Sequence, residues 1–317
     1  MKHYDVFNGD ADGLCALQQL RLAEPLDSIL VTGPKRDIAL LERVPAGTAN
    51  SVTVLDISLD KNRAALQRLL DEGVRVSYFD HHFPGEIPRH PGLEAHIEVL
   101  PEKGTSLLVD EYLGGRYRAW AVAGTFGDNF DAVARRAAAP LGLPDAAVDL
   151  LRDLGVYLNY NGYGAAVEDL HFAPDELAQR LHPYADPLDF VAADPAFTTL
   201  RDGYLDDMER SRAIRPEFED ATHRLFILPA EPWARRVSGV FANDLARQAP
   251  GQAHAILTRL QCGGFLVSVR APLAHPDGAD ALCRRFPTGG GRRAAAGINL
   301  LPAADLEQFV AAFRAAF

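Results

Sequence analysis

The sequence predicts an α/β protein with two domains, namely a parallel-sheet domain with helices on both faces followed by a smaller α/β domain. With 317 residues, the chain has room for two domains. Its first half alternates short apolar runs with helically spaced segments, a pattern typical of a parallel sheet covered by helices. Its last hundred residues repeat this mixture around a glycine cluster. The predicted boundaries are 1–165 for the first domain, 166–215 for a helical insert or linker, and 216–317 for the second domain.

The individual elements follow from local apolar patterns. In the first domain, strands are predicted at 3–8, 28–32, 51–55 and 74–79. Helical spacing is found at 13–23, 36–43 and 61–72, and residues 104–165 are mostly helical in pattern. In the second domain, strands are predicted near 224–228, 254–260 and 264–270, and helices near 238–248, 277–285 and 303–317.

Composition limits the classes of partner. The net charge of −11 and the pI of about 5.4 argue against binding to long duplex nucleic acid, which proteins hold by neutralising many phosphates. No apolar run reaches the roughly 18 residues of a membrane span, and no signal peptide is recognisable. The three cysteines form neither a disulfide framework nor a zinc motif, so we expect a cytoplasmic protein without a membrane partner.

Four polar clusters follow predicted strands or small residues. They contain Asp10 and Asp12, then Asp56, then the triplet 80–82 (Asp-His-His), and finally Asp128. Because ligands bind beyond the carboxyl ends of parallel strands, we expect these clusters to converge. Carboxylates and imidazoles together suit Mn²⁺, with Fe, Co and Zn as further candidates. Two divalent ions would offset the repulsion between four carboxylates and activate a water molecule for hydrolysis.

Each cluster also has a plain structural interpretation. The Asp10 segment alone is more often a turn or a helix N-cap than a metal site. Asp56 has about even odds of capping the helix that starts near residue 60. Asp128 is equally a natural N-cap, and the two histidines could lie on a polar surface turn.

The order of the clusters resembles the DHH family of phosphoesterases. The four family motifs are present in order as NGDADG, VLDIS, DHH and GDN. Near the C-terminus, GGGRRAAAG (289–297) resembles the GGGHxxAAG signature of the DHHA1 substrate-binding domain. The resemblance covers roughly 3–130 and 220–317, and it implies a DHH catalytic domain followed by a DHHA1 domain.

The resemblance implies a role for each matching position. Asp10 would bind one metal ion, Asp12 the other, and Asp56 both. His81 and Asp128 would complete the second ion's ligands, and Asp80 would bind or orient. His82 would contact the phosphate or protonate the leaving oxygen. In the second domain, the implied substrate-binding residues are Arg270, Gly289, Gly290, Gly291, Arg292 and Arg293, with the glycines acting as a phosphate-binding loop or, alternatively, a plain flexible turn.

Two positions depart from the family pattern. Val6 stands where many members with small substrates have a histidine, so the first metal site lacks an imidazole, and Asn8 or water would have to compensate. Arg292 replaces the histidine of GGGHxxAAG, which removes a proton-transfer group but retains anion binding.

The leading hypothesis is therefore an Mn²⁺-dependent phosphodiesterase, similar to nanoRNases, that hydrolyses short oligonucleotides or small nucleotides. Mg²⁺, Co²⁺ or Fe²⁺ are alternative ions, and phosphoadenosine phosphate and linear dinucleotides are alternative substrates. A RecJ-like exonuclease on single-stranded DNA fits Val6 but not the acidic charge. A non-catalytic nucleotide-binding protein and an inorganic pyrophosphatase are weaker alternatives. Cleavage direction and homodimer formation stay open.

Overall fold

The computed structural model describes residues 2–100 and 103–317. It divides into two compact units, residues 1–201 and 202–317. This division lies within the segment 166–215 that the sequence sets apart, and the three domain boundaries stay a prediction. Within the described residues, no helix is both long and apolar enough to cross a membrane.

The first unit is organised around a five-stranded, fully parallel sheet. Its strands are β1 (Lys2–Phe7), β2 (Ser28–Val31), β3 (Ala49–Leu55), β4 (Arg75–Asp80) and β5 (Leu93–Ile97), in the order β2-β1-β3-β4-β5. The predicted α/β class and parallel sheet are confirmed. Strand β5 was not predicted, because an edge strand with several exposed side chains lacks a continuous apolar run.

Helices cover both faces of this sheet. The helices of this part of the chain are α1 (Ala11–Ala23), α2 (Leu59–Asp71), α3 (Thr105–Tyr112), α4 (Arg118–Gly127), α5 (Asp131–Ala138), α6 (Asp145–Gly162), α7 (Pro174–Leu181) and α8 (Pro187–Ala193), and the division between the two units falls within α9 (Pro195–Ala213). Side chains of a strand alternate between faces. Val6 and Val54 pack with Leu66 of α2, whereas Asp5 and its neighbour Thr53 accept hydrogen bonds from Arg21 of α1. Helices α1 and α2 therefore lie on opposite faces.

The helix predicted at 36–43 is wrong. The segment forms only a short 3₁₀ helix, Leu40–Arg43. Pro34 and Pro45 flank it, and each proline lacks a backbone N–H for a helical hydrogen bond. The backbone N–H of Lys35 also donates to the carbonyl of Gly162 at 2.9 Å, so tertiary contacts determine the conformation of this loop.

The second unit contains a six-stranded mixed sheet in the order β10-β11-β9-β8-β7-β6. Its strands are β6 (Phe218–Glu219), β7 (His223–Leu228), β8 (Ala253–Arg259), β9 (Phe265–Arg270), β10 (Gly289–Gly291) and β11 (Ala295–Leu301). Its helices are α10 (Pro232–Gln248), α11 (Ala279–Cys283) and α12 (Leu306–Ala316). Apolar side chains from β8, β9, β11 and α12 form its core, including Leu257, Val267, Ile298 and Phe309.

Candidate metal centre

The parallel sheet brings the acidic motifs together at one edge. Asp10 and Asp12 follow β1, Asp56 follows β3, and His81 follows β4 directly. Because these strands are adjacent and parallel, their carboxyl ends lie side by side. Asp128 reaches the same place from the C-terminal end of α4.

The turn from β1 into α1 fixes the first two carboxylates. Asp10 is the N-cap of α1, and its Oδ1 accepts hydrogen bonds from the backbone N–H groups of Asp12 and Gly13, both at 3.1 Å. A Cβ at Gly13 would lie 2.2 Å from the carbonyl oxygen of Asn8, so only glycine fits there. The N-cap interpretation of Asp10 is thus confirmed, and it coexists with a place at the acidic cluster.

Asp56 adopts an unusual backbone conformation. Its φ angle is 59°, in the left-handed region, which costs a non-glycine residue roughly 1–3 kcal/mol. Its backbone N–H donates to the carbonyl of Phe79 at 3.0 Å, and its Oδ1 accepts a hydrogen bond from Thr105 Oγ1 at 3.0 Å. The alternative that Asp56 caps α2 is wrong, because Ser58 occupies that position. Backbone strain at a buried carboxylate is typical of a functional position.

Three carboxylates surround the His81 imidazole. Its Nε2 lies 3.4 Å from Asp56 Oδ1, 3.7 Å from Asp128 Oδ2 and 4.0 Å from Asp12 Oδ2. All four side chains are largely buried, and ligand atoms of Asp12, His81 and Asp128 lie within 4.8 Å of one another. Carboxylate oxygens with one imidazole nitrogen form a donor set that fits Mn²⁺ and related ions.

The electrostatics of this cluster favour a bound cation. Burial and the charges of Asp56 and Asp128 raise the pKa of Asp12 from 3.8 to about 7. Burial and the charge of Asp10 raise the pKa of Asp56 to about 6. Burial alone would lower the pKa of His81, but its hydrogen bond to Asp56 and the surrounding carboxylates raise it to about 10. A divalent cation among these groups would relieve the repulsion between carboxylates, so the residues fit the metal that the sequence predicts.

Asp80 and His82 lie beside this cluster and are joined to each other by a hydrogen bond. Asp80 is fully buried, and its Oδ1 lies 2.7 Å from His82 Nδ1, while His82 is 45% exposed. Asp80 lies outside both groups of potential metal ligands among the described residues, so its contacts fit an orienting role. His82 Nδ1 also lies 4.0 Å from Asp56 Oδ1, in a second group with His81. Its hydrogen bond to Asp80, however, already engages that nitrogen.

Lys35 is a site residue that the sequence analysis missed. Its ammonium group donates to Asp10 Oδ2, to Asp128 Oδ1 at 3.2 Å and to Asn159 Oδ1 at 2.9 Å. Asp10 therefore contacts an ammonium group, and it is absent from the metal-competent groups found among the described residues. The available signal was the position of Lys35 just beyond β2, on the same sheet edge as the acidic motifs.

The start of α3 is a second feature that the sequence analysis missed. The backbone N–H of Thr105 donates to Asp12 Oδ2 at 2.6 Å, and that of Ser106 donates to Asp12 Oδ1 at 2.9 Å. Asp12 thereby caps the N-terminus of α3, where the helix dipole also stabilises its negative charge. Gly104-Thr105-Ser106 carried no charge pattern that would have identified it from the sequence.

The predicted substrate-binding residues lie together in the second unit. Arg270 is paired with Ala295 across β9 and β11, next to the end of β10. The predicted glycine loop is wrong in form, because Gly289–Gly291 is an edge strand paired with β11. A Cβ at Gly289 would lie 1.8 Å from the carbonyl of Cys283, which explains a glycine there by packing. Arg293 is exposed and paired with Asp277, and Arg270 Nε donates to Asn243 at 2.6 Å.

Comparison with known proteins supports the fold. No protein-family model matches the sequence, and no curated protein matches it either. Among solved structures, exonuclease RecJ bound to manganese matches with a TM-score of 0.66 at 20% identity, covering 99% of this chain and 89% of that one. RecJ of Thermus thermophilus in complex with Mn²⁺ has the same TM-score and identity, but this chain spans only 51% of its length.

A smaller protein matches over its whole length. The pGpG-specific phosphodiesterase PggH of Vibrio cholerae has a TM-score of 0.59 at 14% identity, with 100% of both chains covered. The DHH-domain protein PF0399 matches with a TM-score of 0.65 at 14% identity, covering 99% of this chain and 86% of that one. At these identities the likeness concerns the fold, and it agrees with the motif order and with both sheets described above. This chain therefore shares the fold of the RecJ and PggH structures, as the resemblance of its motifs implies.

Proposed function

We propose that this protein is a metal-dependent phosphodiesterase that hydrolyses short oligonucleotides or small nucleotides. The observation that carries the proposal is the convergence of Asp12, Asp56 and Asp128 on His81 Nε2, all within 4.0 Å. Burying several carboxylates around one imidazole destabilises the fold unless a cation binds among them. Divalent metal ions bound in this way promote the hydrolysis of phosphate esters. A bound divalent ion would neutralise phosphate oxygens and make hydroxide available near neutral pH.

The protein's own residues would perform the remaining tasks. Asp80 holds His82 Nδ1, which leaves the other ring nitrogen to donate a proton to the leaving oxygen. Burial alone would lower the pKa of His82, but the hydrogen bond and charge of Asp80 raise it above its ordinary value, which favours the protonated form that this role requires. In the C-terminal unit, the family resemblance implies that Arg270 and Arg292 bind substrate, and a guanidinium group fits a phosphate.

Two further observations favour a small substrate. PggH, whose structure matches this chain over the whole length of both chains, is named as specific for pGpG. The net charge of −11 also disfavours continuous contact with a long nucleic acid. Manganese is the ion we propose, because the donor set mixes hard oxygens with one borderline nitrogen.

A RecJ-like exonuclease is the second candidate, and the TM-score of 0.66 to RecJ favours it. A length series of labelled oligonucleotides with Mn²⁺ separates the two. The proposed function predicts the highest kcat/KM on dinucleotides and a decline as the chain lengthens, whereas an exonuclease of long strands shows no such decline. Phosphoadenosine phosphate and pyrophosphate belong in the same panel.

A catalytic role itself is tested by Asp56→Asn. This substitution retains the shape of the side chain and tolerates the left-handed backbone. We expect kcat to fall by at least about 100-fold, a loss typical of groups that stabilise transition-state charge. Asp60→Asn, an exposed change on α2, is the matched control. Equal activity of Asp56→Asn and wild type, or full activity in chelator, would refute metal-dependent hydrolysis at this site.

A further inference from the structure

The ammonium group of Lys35 contacts a carboxylate that was expected to bind a metal ion. The resemblance to the DHH family implies that Asp10 binds one of two metal ions. In the structure, Asp10 Oδ2 instead accepts a hydrogen bond from Lys35 Nζ, and Asp10 Oδ1 accepts the two backbone N–H groups at the start of α1. The cation that Asp10 contacts in the structure is therefore an ammonium group of the protein itself.

The hydrogen bonds of Lys35 leave its ammonium fully saturated. An ammonium has three N–H donors, and here three oxygen acceptors surround it, on Asp10, Asp128 and Asn159. The ring of Tyr163 lies 5.6 Å away as an additional cation–π contact. Such a complete set of partners indicates a fixed position for the charge.

The loop that carries Lys35 is anchored on both sides of the residue's backbone. Its N–H donates to the carbonyl of Gly162 at 2.9 Å, and its carbonyl accepts from Asn8 Nδ2 at 3.4 Å. Contacts within the protein therefore hold both the backbone and the ammonium group of Lys35.

The sequence lacks one ligand that the family pattern provides next to Asp10. Val6, where the family pattern has histidine, is fully buried and contributes to the apolar core with Val54. A divalent ion bound to Asp10 would also lie next to the Lys35 ammonium. Two positive charges bound to the same carboxylate repel each other strongly. The family's two-ion arrangement therefore does not fit this chain around Asp10.

We propose that the Lys35 ammonium replaces one of the two metal ions, so that the protein binds a single divalent ion at Asp12, Asp56, His81 and Asp128. Asp128 links the two positive charges, because its Oδ1 faces Lys35 and its Oδ2 faces His81. The inference rests on the proposed function for the ion itself. It assigns Lys35 the task of holding Asp10 and Asp128 in place and supplying the second positive charge.

The test is the manganese stoichiometry of the full-length protein. After treatment with chelator and dialysis, the protein is titrated with Mn²⁺, and bound metal is measured by calorimetry and elemental analysis. Electron paramagnetic resonance of the saturated sample distinguishes an isolated Mn²⁺ ion from a spin-coupled pair. We expect one ion per chain and the spectrum of an isolated ion.

Each outcome has a distinct meaning. Two ions per chain with a spin-coupled spectrum would overturn the replacement by Lys35 and leave the proposed function intact. No bound ion would overturn the proposed function and this inference together. The wild-type measurement needs no substitution, so the result does not depend on the folding of a variant.

A substitution series adds a second readout. Lys35→Met removes the charge at nearly constant volume. At saturating Mn²⁺, we expect this variant to bind more than one Mn²⁺ ion per chain. At low Mn²⁺, we expect its kcat to fall by about 100-fold. Lys35→Arg retains a cation and should keep one ion. Lys61→Met, an exposed lysine on α2, is the matched control. A Lys35→Met protein with unchanged stoichiometry and kcat would contradict the role given to Lys35.

Discussion

Replacing Asp56 by asparagine should stabilise the protein in the absence of metal while removing its activity. The side chain is almost completely buried among other carboxylates, and burial and Asp10 raise its pKa from 3.8 to about 6. A carboxyl whose pKa is higher in the folded state than in the unfolded state destabilises the fold once it ionises. This penalty is absent below about pH 4, grows as the pH rises through 6, and is complete above about pH 7.

The size of the effect follows from the same pKa values. The rise from 3.8 to about 6 corresponds to about 3 kcal/mol at pH 8. Asparagine accepts the hydrogen bond of Thr105 as aspartate does, and the pKa of about 6 already includes the attraction between Asp56 and His81. We therefore expect Asp56→Asn to be more stable than wild type by up to about 3 kcal/mol at pH 8 in chelator, and by almost nothing at pH 4.

Urea unfolding in chelator at both pH values measures this difference. Trp120 is buried in the first unit and Trp233 belongs to the second, so a Trp233→Phe background lets fluorescence report on the first unit alone. Asp60→Asn should change stability by less than about 0.5 kcal/mol at either pH, as exposed substitutions usually do. If Asp56→Asn were less stable than wild type at pH 8, repulsion among the buried carboxylates would not dominate this site.

Three other predictions concern metal affinity, the hydroxyl beside the site and the second unit. Mn²⁺ affinity should rise as the pH increases from 5 to 8, because ions compete with protons on Asp12, Asp56 and His81, whose pKa values are about 7, 6 and 10; calorimetry in buffers of different ionisation enthalpy would detect the released protons. Thr105→Val should weaken Mn²⁺ binding about fivefold, because Asp56 loses a hydrogen bond worth roughly 1 kcal/mol, while Thr105→Ser should not. Burial lowers the pKa of His254 from 6.5 to about 4, so the unfolding free energy of the second unit should fall by up to about 3 kcal/mol as the pH falls from 6.5 to 4. His254→Gln should abolish this pH dependence, which is measured by urea unfolding followed through Trp233 fluorescence.

Each of these has a clear contrary result. A pH-independent Mn²⁺ affinity would mean that ion binding displaces no proton from Asp12, Asp56 or His81. Equal binding by Thr105→Val and wild type would mean that the hydroxyl does not orient Asp56. If the unfolding free energy of His254→Gln depended on pH as that of the wild type does, groups other than His254 would cause the acid sensitivity.

Much of the first unit was predictable because its strands are short apolar runs with polar residues directly after them. That pattern is sufficient to place Asp10, Asp56 and His81 at one sheet edge, since the parallel arrangement follows from the alternation of strands and helices. Some strands were not predicted, and β5 and β10 are two of them. Strand β5 shows exposed side chains, and β10 consists of three glycines, which carry no apolar signal.

The contacts within the site were harder to predict than its position. Lys35 lies in a loop between two prolines, and only the three-dimensional path of that loop brings its ammonium to Asp10. Thr105 contributes through a hydroxyl and a backbone N–H, and backbone donors leave no trace in residue type. The left-handed conformation of Asp56 is likewise imposed by tertiary structure, because aspartate as such has no requirement for it.

Asp10 and Asp12 each cap a helix in addition to lying in the acidic cluster, and this affects how related sequences should be interpreted. Each carboxylate closes the start of a helix, Asp10 for α1 and Asp12 for α3, so the fold requires them even in a descendant that has lost all chemistry. Retention of both acids in a homologue would therefore be poor evidence that it is an enzyme. His81 makes no such helix-closing bond among the described contacts, and its loss or survival is the better marker for separating active members from pseudoenzymes.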